Sequence, residues 1–103
     1  MVEKATVTLV TVVAAFELEA RLASDLKAIG VTAYSVGKVD GRGLHGLRTA
    51  GLVDASSLRL EMLVAPTLAE RILEIIANKY AGQPIIAYLH EVDAMPAENF
   101  RTT

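Results

Sequence analysis

The chain contains no cysteine, which removes disulfides, thiolate metal sites and cysteine nucleophiles together. A cytoplasmic location is the simplest expectation for such a sequence. Basic clusters are missing as well: 12 acidic residues against 10 Lys and Arg leave a formal net charge of −2. The electrostatic footprint of a DNA or RNA binder is therefore absent, and no nucleic-acid partner is expected. No stretch approaches the roughly 18 uninterrupted apolar residues of a membrane span. The apolar N-terminal run, MVEKATVTLVTVVAAF, carries Glu3 ahead of it and threonines within it, where a signal peptide has a basic start and a denser apolar region. It reads as a strand, and the protein is not expected to sit in the membrane. At 103 residues there is also no material for a second core, so residues 1–103 are expected to form one domain.

What is present is an excess of apolar residues. They make up 52% of the chain, with a mean hydropathy of +0.40. That is high for a small domain, which must leave much of its surface to water, and it implies a second apolar surface buried against another subunit. Residues 5–13, ATVTLVTVV, are β-branched and roughly alternating, with Val7, Leu9, Thr11 and Val13 on one strand face and Val10 and Val12 on the other. From Phe16 to Ile29 the spacing becomes helical through Leu18, Leu22, Leu26 and Ile29, and Gly30 follows as a stop. Residues 31–39 and 58–64 return to strand character. Thr67 and Glu70, three apart after Pro66, predict a capping box that starts a second helix carried by Leu68, Ile72, Ile75 and Ile76 to Tyr80. Residues 84–92, PIIAYLHEV, form a nearly continuous apolar run, as in a strand covered on both faces.

The order β-α-β-β-α-β predicts an α+β, ferredoxin-like fold in which two helices cover one face of a four-stranded antiparallel sheet. The opposite face must then find a partner, most simply in a cyclic trimer or dimer.

One connection is far too long to be only a turn. Residues 40–57 join the second and third strands, where hairpin loops usually take about two to five residues. The segment holds Gly41, Gly43, Gly46 and Gly51, with Arg42, Arg48 and His45 among them. Gly41, Gly43 and Gly46 spell G-x-G-x-x-G, yet they follow the second strand rather than the first. No helical apolar spacing continues from them, and Asp54 arrives too early to hold a ribose, so the match to a dinucleotide fingerprint is coincidental. The glycines still allow backbone N–H groups to line a concave nest for anionic oxygen, and Arg42, Arg48 and a protonated His45 can add charge-assisted bonds to a phosphate. The alternative from composition is a solvated loop with ordinary surface arginines.

At these residues the sequence resembles the PII-like signalling proteins, on the side of the SbtB and carboxysome-associated branch. The likeness runs through AIGVTAYSV, GRGLHGLRTAG, LRLEMLV and AERILEIIANKYAG. It implies that residues 40–57 are a T-loop-like segment and that Gly41, Arg42, Gly43 and Arg48 face the phosphate of an adenine nucleotide between subunits of a homotrimer, with His45 as a candidate phosphate contact where relatives of that branch tend to have an arginine. It further implies that Thr32 faces the base and that Gly82 lies beside the nucleotide. The segment KYAGQP lacks the G-D-G-K stretch with which nitrogen-regulatory PII grips ATP, so AMP, ADP or cyclic AMP is the expected ligand, with bicarbonate as a second one. The implied partner is a membrane transporter for inorganic carbon, regulated through a long loop whose order responds to ligand.

Other residues carry plainer readings. Tyr34, Tyr80 and Tyr88 suit a core or an interface, where an apolar ring with a polar tip is favoured. Glu61 suits a solvated or interface position. His90 stands far from His45 and neither has an acidic residue at metal-ligand spacing, so no metal is expected. No nucleophile, base and orienting group come together, so no enzymatic activity is expected. Two other classes share the architecture: a CutA-like metal-tolerance trimer and a small ferredoxin-like dimeric enzyme. The first lacks this glycine-arginine loop, and the second needs a polar pocket where this sequence has Leu, Ile and Val.

Overall fold

The β-branched N-terminal run forms β1, Ala5–Ala15, and its position at the middle of the sheet follows from its apolar character on both faces. The computed structural model describes residues 1–39 and 57–100. A 3-10 turn, Phe16–Leu18, leads into α1, Glu19–Ala28. Then come β2, Ser35–Val39, β3, Ser57–Val64, α2, Pro66–Lys79, and β4, Ile85–Ala94. The strands are arranged β2-β3-β1-β4, all pairs antiparallel. This is the ferredoxin-like α+β arrangement expected from the element order.

Register decides which residues meet the helices. Val10 pairs with Met62 and Leu89, and Val12 with Leu60 and Ala87. These positions share one sheet face and form the core with Leu22 and Leu26 of α1 and Ala69 and Ile72 of α2. Leu60, Ile72, Val10 and Val12 are fully excluded from water. Each such side chain contributes about 1.5–3 kcal/mol relative to an exposed one. Leu18, Ile29, Leu68, Ile75 and Ile76 pack around them, half-buried, so both helical stripes lie where their spacing put them.

The structure corrects the sequence reading at three places. Residues 31–34 precede the second strand, which starts at Ser35, because the end of α1 is turned back first: with Gly30 at φ +101°, Gly30 N–H donates to the Lys27 carbonyl and Val31 N–H to the Leu26 carbonyl, a Schellman closure. Thr67 does not cap α2. Pro66 occupies the first helical position and Ala65 becomes the N-cap, without a side-chain bond, since a fixed φ and a missing N–H suit proline to that place. Ser57 belongs to β3, paired with both Val39 and Ala15 and buried, so the long connection ends one residue earlier. Within the protomer β4 is an edge strand whose Ile85, Ala87 and Leu89 pack on the core, while Ile86 and Tyr88 on the other face, the one expected to meet another subunit, are 39% and 48% exposed.

Candidate functional site

The first and second helices are fastened together next to Gly82. Arg21 and Asp25 lie four apart on α1, so they project on one helix face. Tyr80 closes α2 and is 1% exposed. Its hydroxyl donates to Asp25 Oδ2 at 2.7 Å. Lys79 Nζ donates to Asp25 Oδ1 at 3.3 Å, and Arg21 Nη2 donates to the Lys79 carbonyl at 2.8 Å. The Arg21 guanidinium also lies 4.4 Å from the centre of the Tyr80 ring, a cation–π contact. Burial, reinforced by the bond to the Asp25 carboxylate, pushes the Tyr80 phenol up to about 12. The same hydrogen bond, aided by Lys79, holds the Asp25 carboxyl below the usual range against the opposing cost of burial. Asp25 and Tyr80 therefore meet as ionised acceptor and neutral donor across the neutral range.

From this anchor the chain turns sharply. Gln83 N–H donates to the Tyr80 carbonyl at 2.9 Å, and Gly82 between them has φ +79°. That is the geometry of a type II turn with glycine at its third position. Ala15 N–H then donates to the Pro84 carbonyl, which ties the turn to the end of β1. Val39 and Ser57 are paired at this same end of the sheet, so Gly82 and the two feet of the long connection share one end of the protomer.

Thr32 lies at the other end. It is exposed, follows the Schellman turn of α1, and lines a cavity of about 460 Å³ together with Gly30, Val64, Pro66, Asn99 and Phe100. The eight residues of β3 separate the two ends by about 24 Å along the strand. Gly41, Arg42, Gly43, His45 and Arg48 lie outside the described residues. The described part thus brings Gly82 to the feet of the segment that carries them, and it does not bring Thr32 to Gly82 within one chain.

The remaining singled-out residues fall on the helix-free face or the core. Tyr34 is half-buried against the core. Glu61 pairs in register with Thr11 and Ser35, and His90 with Leu9, all on the open face. No group of three His, Cys, Asp or Glu side chains comes together among the described residues. No helix among them is long and apolar enough to cross a membrane. The sequence reading missed the C-terminal 3-10 turn, Ala97–Phe100, whose Ala97 is buried and whose Phe100 borders the cavity beside Thr32. Nothing in the local pattern after β4 signals it, because its position depends on a return across the end of β1.

The family model described as nitrogen regulatory protein P-II matches residues 7–96, nearly the whole of the described fold. The chain belongs to the P-II family. A PII-like signaling protein from Thermus thermophilus is 30% identical, covers 96% of this chain and 99% of its own, and superposes with a TM-score of 0.78. Two structures of CPII from Thiomonas intermedia share the fold at lower identity. The one bound to ADP, AMP and acetate has 15% identity, a TM-score of 0.80 and coverage of 98% and 100%. The one bound to ADP and bicarbonate has 17% identity, a TM-score of 0.79 and the same coverage. No curated protein matches the chain. P-II membership makes this a PII-like signalling protein, and neither the metal-tolerance trimer nor the dimeric enzyme is favoured.

Proposed function

We propose that this P-II family member is a non-enzymatic, cytoplasmic sensor of an adenine nucleotide, bound in the clefts between subunits of a homotrimer. One observation carries the reading: Gly82 and the feet of the glycine-arginine segment lie at one end of the protomer and Thr32 at the other. A single site that uses both is completed only when the end of one copy meets the opposite end of the next. The helix-free sheet face supports such assembly, since Leu63, Ile86 and Tyr88 on it are exposed in the protomer and apolar area removed from water contributes about 25 cal/mol per Å².

In this reading Gly41 and Gly43 let the backbone approach the phosphate, Arg42 and Arg48 supply charge-assisted bonds, and His45 adds a third cation when protonated. Thr32 and Gly82 flank the nucleotide from neighbouring subunits. AMP, ADP or cyclic AMP is the ligand, with bicarbonate as a second one, and both fit the SbtB and carboxysome-associated side of the family. The ligands carried by CPII support ADP, AMP and bicarbonate as the first compounds to test. The regulated partner is a membrane transporter for inorganic carbon.

The experiment is calorimetry with AMP, ADP, cyclic AMP and ATP, with and without bicarbonate, on wild type and Arg48→Ala. A charge-assisted phosphate bond contributes about 1.5–3 kcal/mol, so Arg48→Ala should weaken binding roughly ten- to a hundredfold while leaving the fold intact. Equal affinities in the two proteins, or no binding to wild type at millimolar nucleotide, would remove the phosphate nest.

A further inference from the structure

The C-terminal 3-10 turn, Ala97–Phe100, gives the cavities at the Thr32 end a wall that the glycine-arginine segment does not explain. Ala97 is buried and Asn99 N–H donates to the Pro96 carbonyl at 3.1 Å, so the turn is seated on the protein. Phe100, half-buried at its end, lines two neighbouring cavities. One is the 460 Å³ cavity beside Thr32. The other, about 390 Å³, lies over the sheet between Leu9, Leu63 and Tyr34, with Ser35 and Glu61 at its polar margin. Both have the size of small-molecule sites.

These cavities present polar and apolar surface side by side, and Phe100 borders both. That composition suits a flat heterocycle: the faces of a base meet apolar and aromatic surface while its edge meets a hydroxyl or carboxylate. The chain has only two phenylalanines. The other, Phe16, starts the 3-10 turn after β1, at the opposite end of the sheet.

We infer that Phe100 is a base-stacking residue, carried by the C-terminal turn to the rim shared by these two cavities, and that it holds the planar ring of the bound nucleotide. The inference rests on the nucleotide reading above and adds a residue to it. Stacking of this kind is tolerant of base identity because every base has a π-face. Phe100 therefore contributes affinity for nucleosides generally, leaving selection among bases to the polar margin.

The test separates stacking from binding. AMP affinity is measured by calorimetry for wild type, Phe100→Ala and Phe100→Leu, and 2-aminopurine riboside monophosphate, whose fluorescence falls when the base stacks, serves as probe. The chain contains no tryptophan, so the probe's emission is read without interference from the protein's own indole. Phe100→Ala should weaken AMP binding about tenfold or more. Phe100→Leu, which keeps apolar volume, should bind the probe without the wild-type loss of fluorescence. Melting temperatures report whether the variants remain folded, and Phe100→Leu preserves the test if the alanine variant does not. AMP affinity unchanged in both variants, or probe fluorescence lowered equally in wild type and Phe100→Leu, overturns the inference. Failure of wild type to bind AMP or ADP at all instead overturns the nucleotide reading beneath it.

Discussion

Replacing Tyr80 with Phe removes one oxygen atom and leaves the ring in its buried seat. The hydroxyl donates at 2.7 Å to an Asp25 carboxylate whose side chain is 16% exposed, and a hydrogen bond to a charged group contributes about 1.5–3 kcal/mol. Asp25 keeps its contact with Lys79 at 3.3 Å, so the carboxylate is not orphaned and the loss should fall near the lower end, about 1.5–2 kcal/mol. For a domain of this size that lowers the melting temperature by about 6–16 °C. The pH dependence follows from the direction of each shift. Asp25 is more acidic folded than unfolded, so its contribution is present above the unfolded value of about 4 and is lost as pH falls through the lowered folded value. Tyr80 is raised to about 12 when folded. Its contribution is complete below the unfolded value of about 10 and disappears as pH rises through 12. The gap between wild type and Tyr80→Phe is thus widest in the neutral range and narrows toward both extremes. Urea melts at pH 7 and pH 3, at one protein concentration so that assembly does not shift the comparison, measure it. A gap below about 0.5 kcal/mol at pH 7, or one that is as large at pH 3, would refute the reasoning.

Gly82→Ala should destabilise the protein by about 1–2 kcal/mol in a thermal melt, because alanine at φ +79° is strained even though a Cβ there meets nothing within 4 Å; an unchanged melt would mean the turn readily adopts another form. Tyr88→Asp, on the open sheet face, should yield smaller species than wild type in light scattering, since a charge cannot be buried there without a partner, and an intact trimer would place assembly elsewhere. Affinity for cyclic AMP, whose phosphodiester keeps a single charge across this range, should rise as pH falls through the ordinary histidine range near about 6.5 in wild type and stay flat in His45→Ala, as titrations at two pH values would show.

The fold was legible because its signals are local. The leucines of α1 and the isoleucines of α2 recur at helical spacing, the third strand alternates Leu58, Leu60 and Met62 with Arg59 and Glu61, and Gly30 stands where a helix must reverse. Boundaries were less legible where two local rules compete. Thr67 and Glu70 spell a capping box, but proline one residue earlier has the stronger preference for the first helical position, and it displaces the cap to Ala65. The second strand begins late for a similar reason: Val31 is drawn into the closure of α1 and buried, which delays pairing until Ser35.

The sequence by itself determined the order of elements, the apolar surplus beyond one core, and the glycine-arginine segment that resembles the PII-like proteins. Only the tertiary structure decided which ends of the chain lie together. Periodicity reports which way a residue faces within its own element and carries nothing about distant elements. Residues far apart in sequence meet through antiparallel register and helix packing: Asp25 with Tyr80, Val39 with Ser57, Phe100 with Leu9 and Leu63 around one cavity. The same register sets Thr32 and Gly82 at opposite ends of the sheet, a separation no reading of neighbouring residues could supply.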